Sequence, residues 1–349
     1  MSIPLAGASS IPLTGADCFL RAFDDEVRRR AGASHASQLV LRLGPGFDLP
    51  AFEKTLAEAA AAHPILHAPI RRRMGLGAPA YRLDRVRAEH VPRVQTHPRQ
   101  EGNALPELFF ARMNERFRAE RGELLRVDVV PRPHGTDLAM TWLHMLLDGA
   151  GSEAFVEWLE FVHRGERAVA ELPPDDVVTS PGLPKGLTSK ERGRRATAWQ
   201  AWMASMADPC PRSLAGPLTD VRQDLRYDLL TLAEDETARA TERAKQKAGF
   251  LTPMLFYLAC AIRAHDAVFR ARGVDPGAFV VPLPVNIRPK GSEHAIFRTR
   301  VSLLWFRVLP EQVADLDGLI GELKRQRVDA IKAGRIEAGV IAMDFARFA

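Results

Sequence analysis

An α/β protein built in two successive halves is what this sequence predicts, and three observations carry that prediction. Segments with the two-residue period of strands alternate along the chain with segments of helical period. A stretch rich in Pro, Gly and charge, from about Glu171 to Pro217, interrupts the alternation midway. Beyond it the alternation begins again. A chain of 349 residues is long for one small core and suits two. The expected division is a first unit at 1–170, a linker with a basic helix at 171–217, and a second unit at 218–349.

The elements follow in order. "SQLVLRL" (37–43) alternates around Leu39, Leu41 and Leu43 and reads as a strand. "LPAFEKTLAEAAAAH" (49–63) is Ala-rich, with Pro50 where a first helical turn tolerates it. "LPELFFARMNERFRAE" (105–120) is amphipathic and reads as one helix. "LLRVDVVP" (124–131) and "DLAMTWLH" (137–144) read as strands joined by the turn "RPHGT". A helix is expected over 152–163, capped by Ser152, after the glycines at 149 and 151. In the linker a basic helix is expected around 196–206. "LRYDLLT" (225–231) alternates like a strand, and "EDETARATERAKQKAG" (234–249) reads as a polar helix. The segment 252–273 opens on Thr252 as cap and Pro253 at the first helical position, and its apolar residues run nearly all round, so a buried helix is expected. Strands at 278–289 and 298–310 and a helix at 316–334 complete the pattern.

Bulk composition narrows the function classes. The formal charge is +5, a modest bias on so long a chain, and no zinc finger, RNP-type strand or basic zipper accompanies it. The basic run from Lys190 reads as a solvated helix face, so no nucleic-acid partner is expected. Positive potential also suits an anionic small ligand such as a nucleotide-tailed thioester. Mean hydropathy is −0.14, and neither a transmembrane run nor a secretory leader is read, which gives an expectation of a cytoplasmic location. Cys18, Cys210 and Cys260 lie far apart without a CxxC pair and are expected reduced and mostly buried. "HPILH" (63–67) mimics an HxxxH metal pair, but Pro64 disfavours a continuous helix and a structural turn is expected. A GxSxG elbow, a P-loop and a GxGxxG after a strand are all lacking.

One stretch carries chemistry: "TWLHMLLDGAGSEAFVEWL" (141–159). Alternation puts Leu138, Met140, Trp142 and His144 on one strand face, and the glycines after Asp148 then carry the chain through a tight loop into a helix. An HxxxDG string is expected about 0.04 times in a chain with ten histidines. Three readings of His144 compete. As a metal ligand it needs Asp148 on the same helix face and a third partner, which the strand, the glycines and the neighbouring sequence do not offer. As a core histidine it needs only one satisfied hydrogen bond. As a general base its neutral imidazole takes a proton from an attacking hydroxyl or amine at neutral pH. The last is the reading preferred, with no metal.

"HMLLDG" resembles the HHxxxDG motif of the chloramphenicol-acetyltransferase-like superfamily, with Leu143 in place of the first histidine and His144 as the second. That superfamily includes nonribosomal-peptide condensation domains, BAHD acyltransferases and the wax ester synthase/diacylglycerol acyltransferase type. Further similarities keep the order of the family: "IPLTGADCFL", "HPILHAPIRR" with His67 where arginine is usual, "GFLTPMLFYLACAIRA", "VPLPVNIRP" and "RVSLLWFRVLP". The resemblance spans nearly the whole chain, and only the histidine motif is specific.

The resemblance implies two chloramphenicol-acetyltransferase-like α/β subdomains with mixed sheets and a tunnel between them. It implies an acyltransferase in which His144 is the general base, and an acyl-CoA or phosphopantetheine carrier-bound thioester is co-substrate, with no permanently bound cofactor. The acceptor is an alcohol or an amine, with a lean to the hydroxyl of the wax ester branch, and an acyl carrier protein is a possible partner. Asp148 braces the loop through a pair with an arginine, for which Arg288 in "NIRP" is the candidate. Gly149 permits the tight turn and the close approach of the next helix, and Ser302 is a candidate oxyanion stabiliser. The chain departs from the pattern where "FRT" (297–299) replaces a Gly-Asn pair. It also ends at "AMDFARFA", ahead of the late strand and exchanged segment of the family, so the second unit is expected to be incomplete. The competing expectation is a non-catalytic or truncated condensation-like module that binds an acyl chain or a carrier protein.

Overall fold

Thr14 opens the first helix with a reciprocal cap: its hydroxyl accepts the Asp17 N–H, and Asp17 Oδ2 accepts the Thr14 N–H. The computed structural model describes residues 9–73, 76–171, 186–214, 224–288, 295–345 and 347. The first half runs β1 (Ile11–Pro12), α1 (Gly15–Ala31), β2 (Ala36–Leu43), α2 (Leu49–Ala62), β3 (Ile70–Arg73), β4 (Leu76–Tyr81), β5 (Val94–Thr96), α3 (Glu107–Met113), β6 (Leu125–Arg132), β7 (Gly135–Leu143) and α4 (Gly149–His163). There follow α5 (Ser189–Met206), α6 (Glu234–Ala248), α7 (Met254–Ala271), β8 (Phe279–Asn286), β9 (Val301–Val308), α8 (Leu316–Lys332) and α9 (Arg335–Phe345).

The fold is mixed α/β. One sheet has the order β2–β7–β6–β5, antiparallel except for the parallel β5–β6 edge. A smaller sheet has the order β1–β4–β3, and β8 pairs with β9 in an antiparallel hairpin. The central strands β6 and β7 are buried on both faces, from Leu138 to Leu143 without a break. Leu56, Val127, Val129, Leu138, Trp142, Phe155 and Trp158 form the core beneath them. Ile296 and Phe297, from the far end of the sequence, are fully buried in that same core. A second core gathers Leu255, Ile262, Leu304, Phe306, Leu319 and Leu323. Strand β9 alternates strictly, burying Ser302, Leu304, Phe306 and Val308. On its outer edge Gln326 of α8 accepts the Arg307 N–H and donates to the Arg307 carbonyl, so a side-chain amide stands there in place of a neighbouring strand. Helix α9 packs against α1, α5 and β9.

Several expectations need correction. The helix expected over 105–120 stops at Met113, because the Asn114 side chain turns back to the Phe110 carbonyl and Phe117 is drawn into the core, with its N–H donated to Ser34 Oγ. The strand expected at 225–231 does not form. That segment lies extended beside α3 and the edge strand β2, held by side chains rather than by a backbone ladder: Asn114 on both the N–H and the carbonyl of Leu225, and the Tyr227 hydroxyl on Gln38. Helix α7 is buried along one face only, with Met254, Tyr257 and Val268 exposed, and the Thr252 hydroxyl does not cap it but donates to the Ala248 carbonyl of α6. Cys210 and Cys260 are exposed and Cys18 half-buried, so burial does not describe them. The Pro64–His67 segment is a 3₁₀ turn. No described helix is long and apolar enough to cross a membrane.

Candidate active site

His144 is the first residue past the end of β7. The chain then makes a short turn, and every carbonyl from 145 to 147 is held. The buried Tyr81 hydroxyl donates to Met145 O at 2.8 Å, the Arg298 N–H to Leu146 O at 2.7 Å, and Trp142 Nε1 to Leu147 O at 2.9 Å. A side chain from the smaller sheet, a backbone group from the second half of the sequence and the strand's own tryptophan thus fix one loop. Leu147 and Arg298 also form a parallel bridge, which joins the loop after His144 to a segment from far along the sequence. Arg298 takes a left-handed conformation there, φ 74°, unusual for a residue with a side chain. The His144 ring is half-buried, and its Nδ1 is sealed without a hydrogen-bond partner, which leaves Nε2 as the nitrogen open to a ligand.

Asp148 and Arg288 are brought together. Arg288 Nη2 donates to Asp148 Oδ1 at 2.7 Å and Nη1 to Oδ2 at 3.0 Å, with both side chains 1% exposed. The carboxylate also accepts the Gly151 N–H at 2.7 Å and the Arg300 N–H at 2.8 Å, which fills its lone-pair positions. The remaining Arg288 donors go to the Ala295 carbonyl and Asn286 Oδ1, so all five guanidinium N–H groups have partners. Asp148 is itself the cap of α4, and the helix begins at Gly149 rather than behind Ser152. The glycines lie inside the first turn instead of interrupting it.

The close approach expected at Gly149 is found at Gly151. A Cβ on Gly149 meets nothing within 4 Å, whereas one on Gly151 would lie 2.3 Å from the Ile296 carbonyl oxygen and 3.0 Å from Asp148 Oδ1. Gly151→Ala is therefore expected to cost about 2–3 kcal/mol through forced displacement of backbone. Gly149→Ala is expected to lie within about 1 kcal/mol of the parent, on the side helix propensity favours. Chemical denaturation of both variants checks the contrast. Ser302 is a further correction: it is fully buried on β9, and its only hydroxyl proton is donated to the Ile336 carbonyl of α9 at 2.9 Å, so it has no donor left for an oxyanion.

His35 was not singled out by sequence. It lies beside His144, with ring centres 5.1 Å apart. Burial, and then the charge of His144, push its pKa down from 6.5 to about 4. The unfolded chain therefore binds a proton that the folded ring refuses, and His63 and His67 are depressed by burial in the same direction. The sign follows: stability is whole above about pH 6.5 and falls as the pH drops towards 4, with His35 contributing roughly 3 kcal/mol at most. Urea unfolding at pH 7 and pH 4.5 is expected to show the loss, and His35→Gln to reduce it.

Four cavities of about 470 to 750 Å³ are lined by other residues, and none of the four includes His144. Among the described residues no group of three or more His, Cys, Asp or Glu is placed to hold a metal ion.

No protein-family model and no curated protein matches the sequence. Solved structures do. The first condensation domain of the calcium-dependent antibiotic synthetase, in complex with a substrate analogue, is 15% identical with a TM-score of 0.64, over 94% of this chain and 75% of that one. The condensation domain of the Monacolin K polyketide synthase MokA is 16% identical with a TM-score of 0.59, over 96% and 75%. The EpoB cyclization-docking bidomain of a nonribosomal peptide synthetase from Sorangium cellulosum is 17% identical with a TM-score of 0.61, over 95% and 65%. At such identities the likeness is one of fold: this chain is folded as condensation domains are.

Proposed function

We propose that this protein is an acyltransferase that moves an acyl group from a thioester to a hydroxyl or amine, with His144 as general base. The observation that carries the proposal is a histidine on a loop pinned at three successive carbonyls, with one ring nitrogen open, at the seam of a condensation-domain fold. Rigid support of this kind is what a positioned base requires. In the proposed step His144 Nε2 takes the acceptor's proton as its lone pair attacks the thioester carbonyl. The tetrahedral intermediate then collapses, the C–S bond breaks, and the leaving thiolate recovers the proton from the imidazolium. No acyl-enzyme forms.

The donor in this reading is a phosphopantetheine thioester, on a carrier protein or as acyl-CoA, and no cofactor stays bound. The condensation and cyclization domains named above support a carrier-borne donor. The opening segment supports the hydroxyl acceptor. The units at 1–170 and 218–349, joined by 171–217, are proposed as the two walls of a passage through which donor and acceptor meet. Asp148 and Arg288 act on the loop and not on substrate, since their polar atoms are already partnered.

A thiol-release assay tests this, with acyl-CoA and acyl-carrier thioesters of several chain lengths against a panel of alcohols and amines, products being identified by mass. Acceptor-dependent release with a matching ester or amide is the expected result. Tight binding of the acyl carrier without release would favour the non-catalytic module instead, and release independent of acceptor would remove the transfer reaction.

A further inference from the structure

Among the described residues Arg298 alone, glycines aside, has a positive φ, 74°. In that left-handed region the Cβ of an L-residue crowds the carbonyl oxygen that follows, so the conformation persists only where the surroundings hold it. Here contacts on both the backbone and the side chain do so. The Arg298 N–H donates to the Leu146 carbonyl at 2.7 Å, and the Arg300 N–H donates to Asp148 Oδ2 at 2.8 Å. One short segment thus serves both ends of the loop after His144. The left-handed residue stands between the two donors, so the turn of the chain at 298 sets the direction of the second relative to the first. Leu146 is two residues from His144, and its own N–H closes the turn on the Leu143 carbonyl at 2.8 Å. A displacement of Leu146 is therefore passed to the imidazole.

We propose that Arg298 is a positioning residue for His144: its left-handed backbone holds the loop that carries the imidazole, and its guanidinium, fastened to the opening of α1, keeps the backbone in that conformation. The consequence for rate rests on the acyl-transfer reading, whereas the loop conformation is a property of the resting protein.

The side chain supplies the constraint. It is 6% exposed, its Nη2 donates to the Pro12 carbonyl at 2.9 Å, and its Nε lies 3.7 Å from Asp17 Oδ2. Asp17 is fully buried and fixed in turn: Oδ2 accepts the Thr14 N–H of the α1 cap, and Oδ1 accepts the Thr299 N–H at 3.3 Å. The buried cation and its carboxylate thus grip the chain on either side of the left-handed residue. A glycine would reach this conformation through freedom; the anchored arginine reaches it through constraint. A purely structural arginine would make every variant that loses the guanidinium suffer alike. Positioning through the backbone separates the variants by the φ each permits.

Three substitutions test this, since all remove the guanidinium and differ in backbone preference. Arg298→Gly and Arg298→Asn enter the left-handed region readily, whereas Arg298→Val, branched at Cβ, does not. In thioester transfer the Gly and Asn variants are expected to keep kcat within about threefold of the parent. The Val variant is expected to lose about 10–100-fold in kcat with KM little changed, because the base is misplaced while substrate still binds. Amide hydrogen exchange on the full chain reads the loop without the reaction. The Leu146 N–H is expected to exchange near the parent rate in the Gly and Asn variants and about tenfold faster or more in the Val variant. Should the Val variant fail to fold, Arg298→Ala, which enters the region at smaller cost, takes its place with the same expected sign. Equal kcat and equal exchange in the Gly and Val variants would overturn the proposal. So would a Gly variant as impaired as the Val variant, since loss of the guanidinium alone would then account for the effect. A parent without acyl transfer would count against the reaction, and the exchange rates would then decide the positioning.

Discussion

Asp148→Ala is expected to lower stability by about 3–5 kcal/mol, the cost of stranding a buried charge. The substitution takes away the acceptor for two Arg288 Nη donors in a site 1% exposed, and the carboxylate that accepts the Gly151 and Arg300 N–H groups. It also removes the cap of α4. Asp148→Asn keeps the shape but presents an NH2 to a site built wholly of donors, so most of the loss is expected to remain. Arg288→Lys retains charge without the planar fork and should fall between. A double-mutant cycle of Asp148→Ala with Arg288→Met is expected to show strong coupling, the second change costing little once the first is made. Urea midpoints at constant slope provide the measurement. A loss below about 1 kcal/mol for Asp148→Ala would mean that the pair does not hold the loop.

His144→Ala is expected to behave in the opposite way, sparing the fold and stopping the reaction. The loop carbonyls are held by Tyr81, Trp142 and Arg298, none of which needs the imidazole. The ring is half-buried with an unpartnered Nδ1, so its removal deletes few favourable interactions and unfolding should shift by less than about 1 kcal/mol. Loss of a general base costs about 10²–10⁴ in rate, and kcat/KM for thioester transfer is expected to fall by that factor. Turnover close to the parent would eliminate the base role, while a collapse of stability would show that the ring has structural work as well.

Much of the architecture could be read from periodicity, because β9 buries alternate residues and helices such as α2 and α8 bury one face and expose the other. Misreadings cluster where the same pattern lacks its usual partner. The segment 225–231 is held to β2 and α3 by side chains and forms no backbone ladder, and the apolar residues of α7 continue onto a face that nothing described covers. At the site, His144 and Asp148 stand out by spacing, but Arg288 is 140 residues away from Asp148 and was reached only through resemblance. Gly149 and Gly151 look alike in one dimension. Which of them is crowded depends on how α4 is rotated against Ile296. Ser302 lies on the buried face of β9, and the strand pattern says nothing of α9 lying over it. His35 was invisible because strand register is not written locally, and a slip of one residue would have turned it to the other face.

Ile296 and Phe297 sit wholly inside the first core although half of the second core precedes them in the sequence. Synthesis runs from the N-terminus, so the first core keeps an unfilled socket until residues 296 and 297 have been made. A polypeptide cut in the connecting stretch would carry that socket as an open, sticky hole, so the pieces are expected to need each other in order to remain soluble.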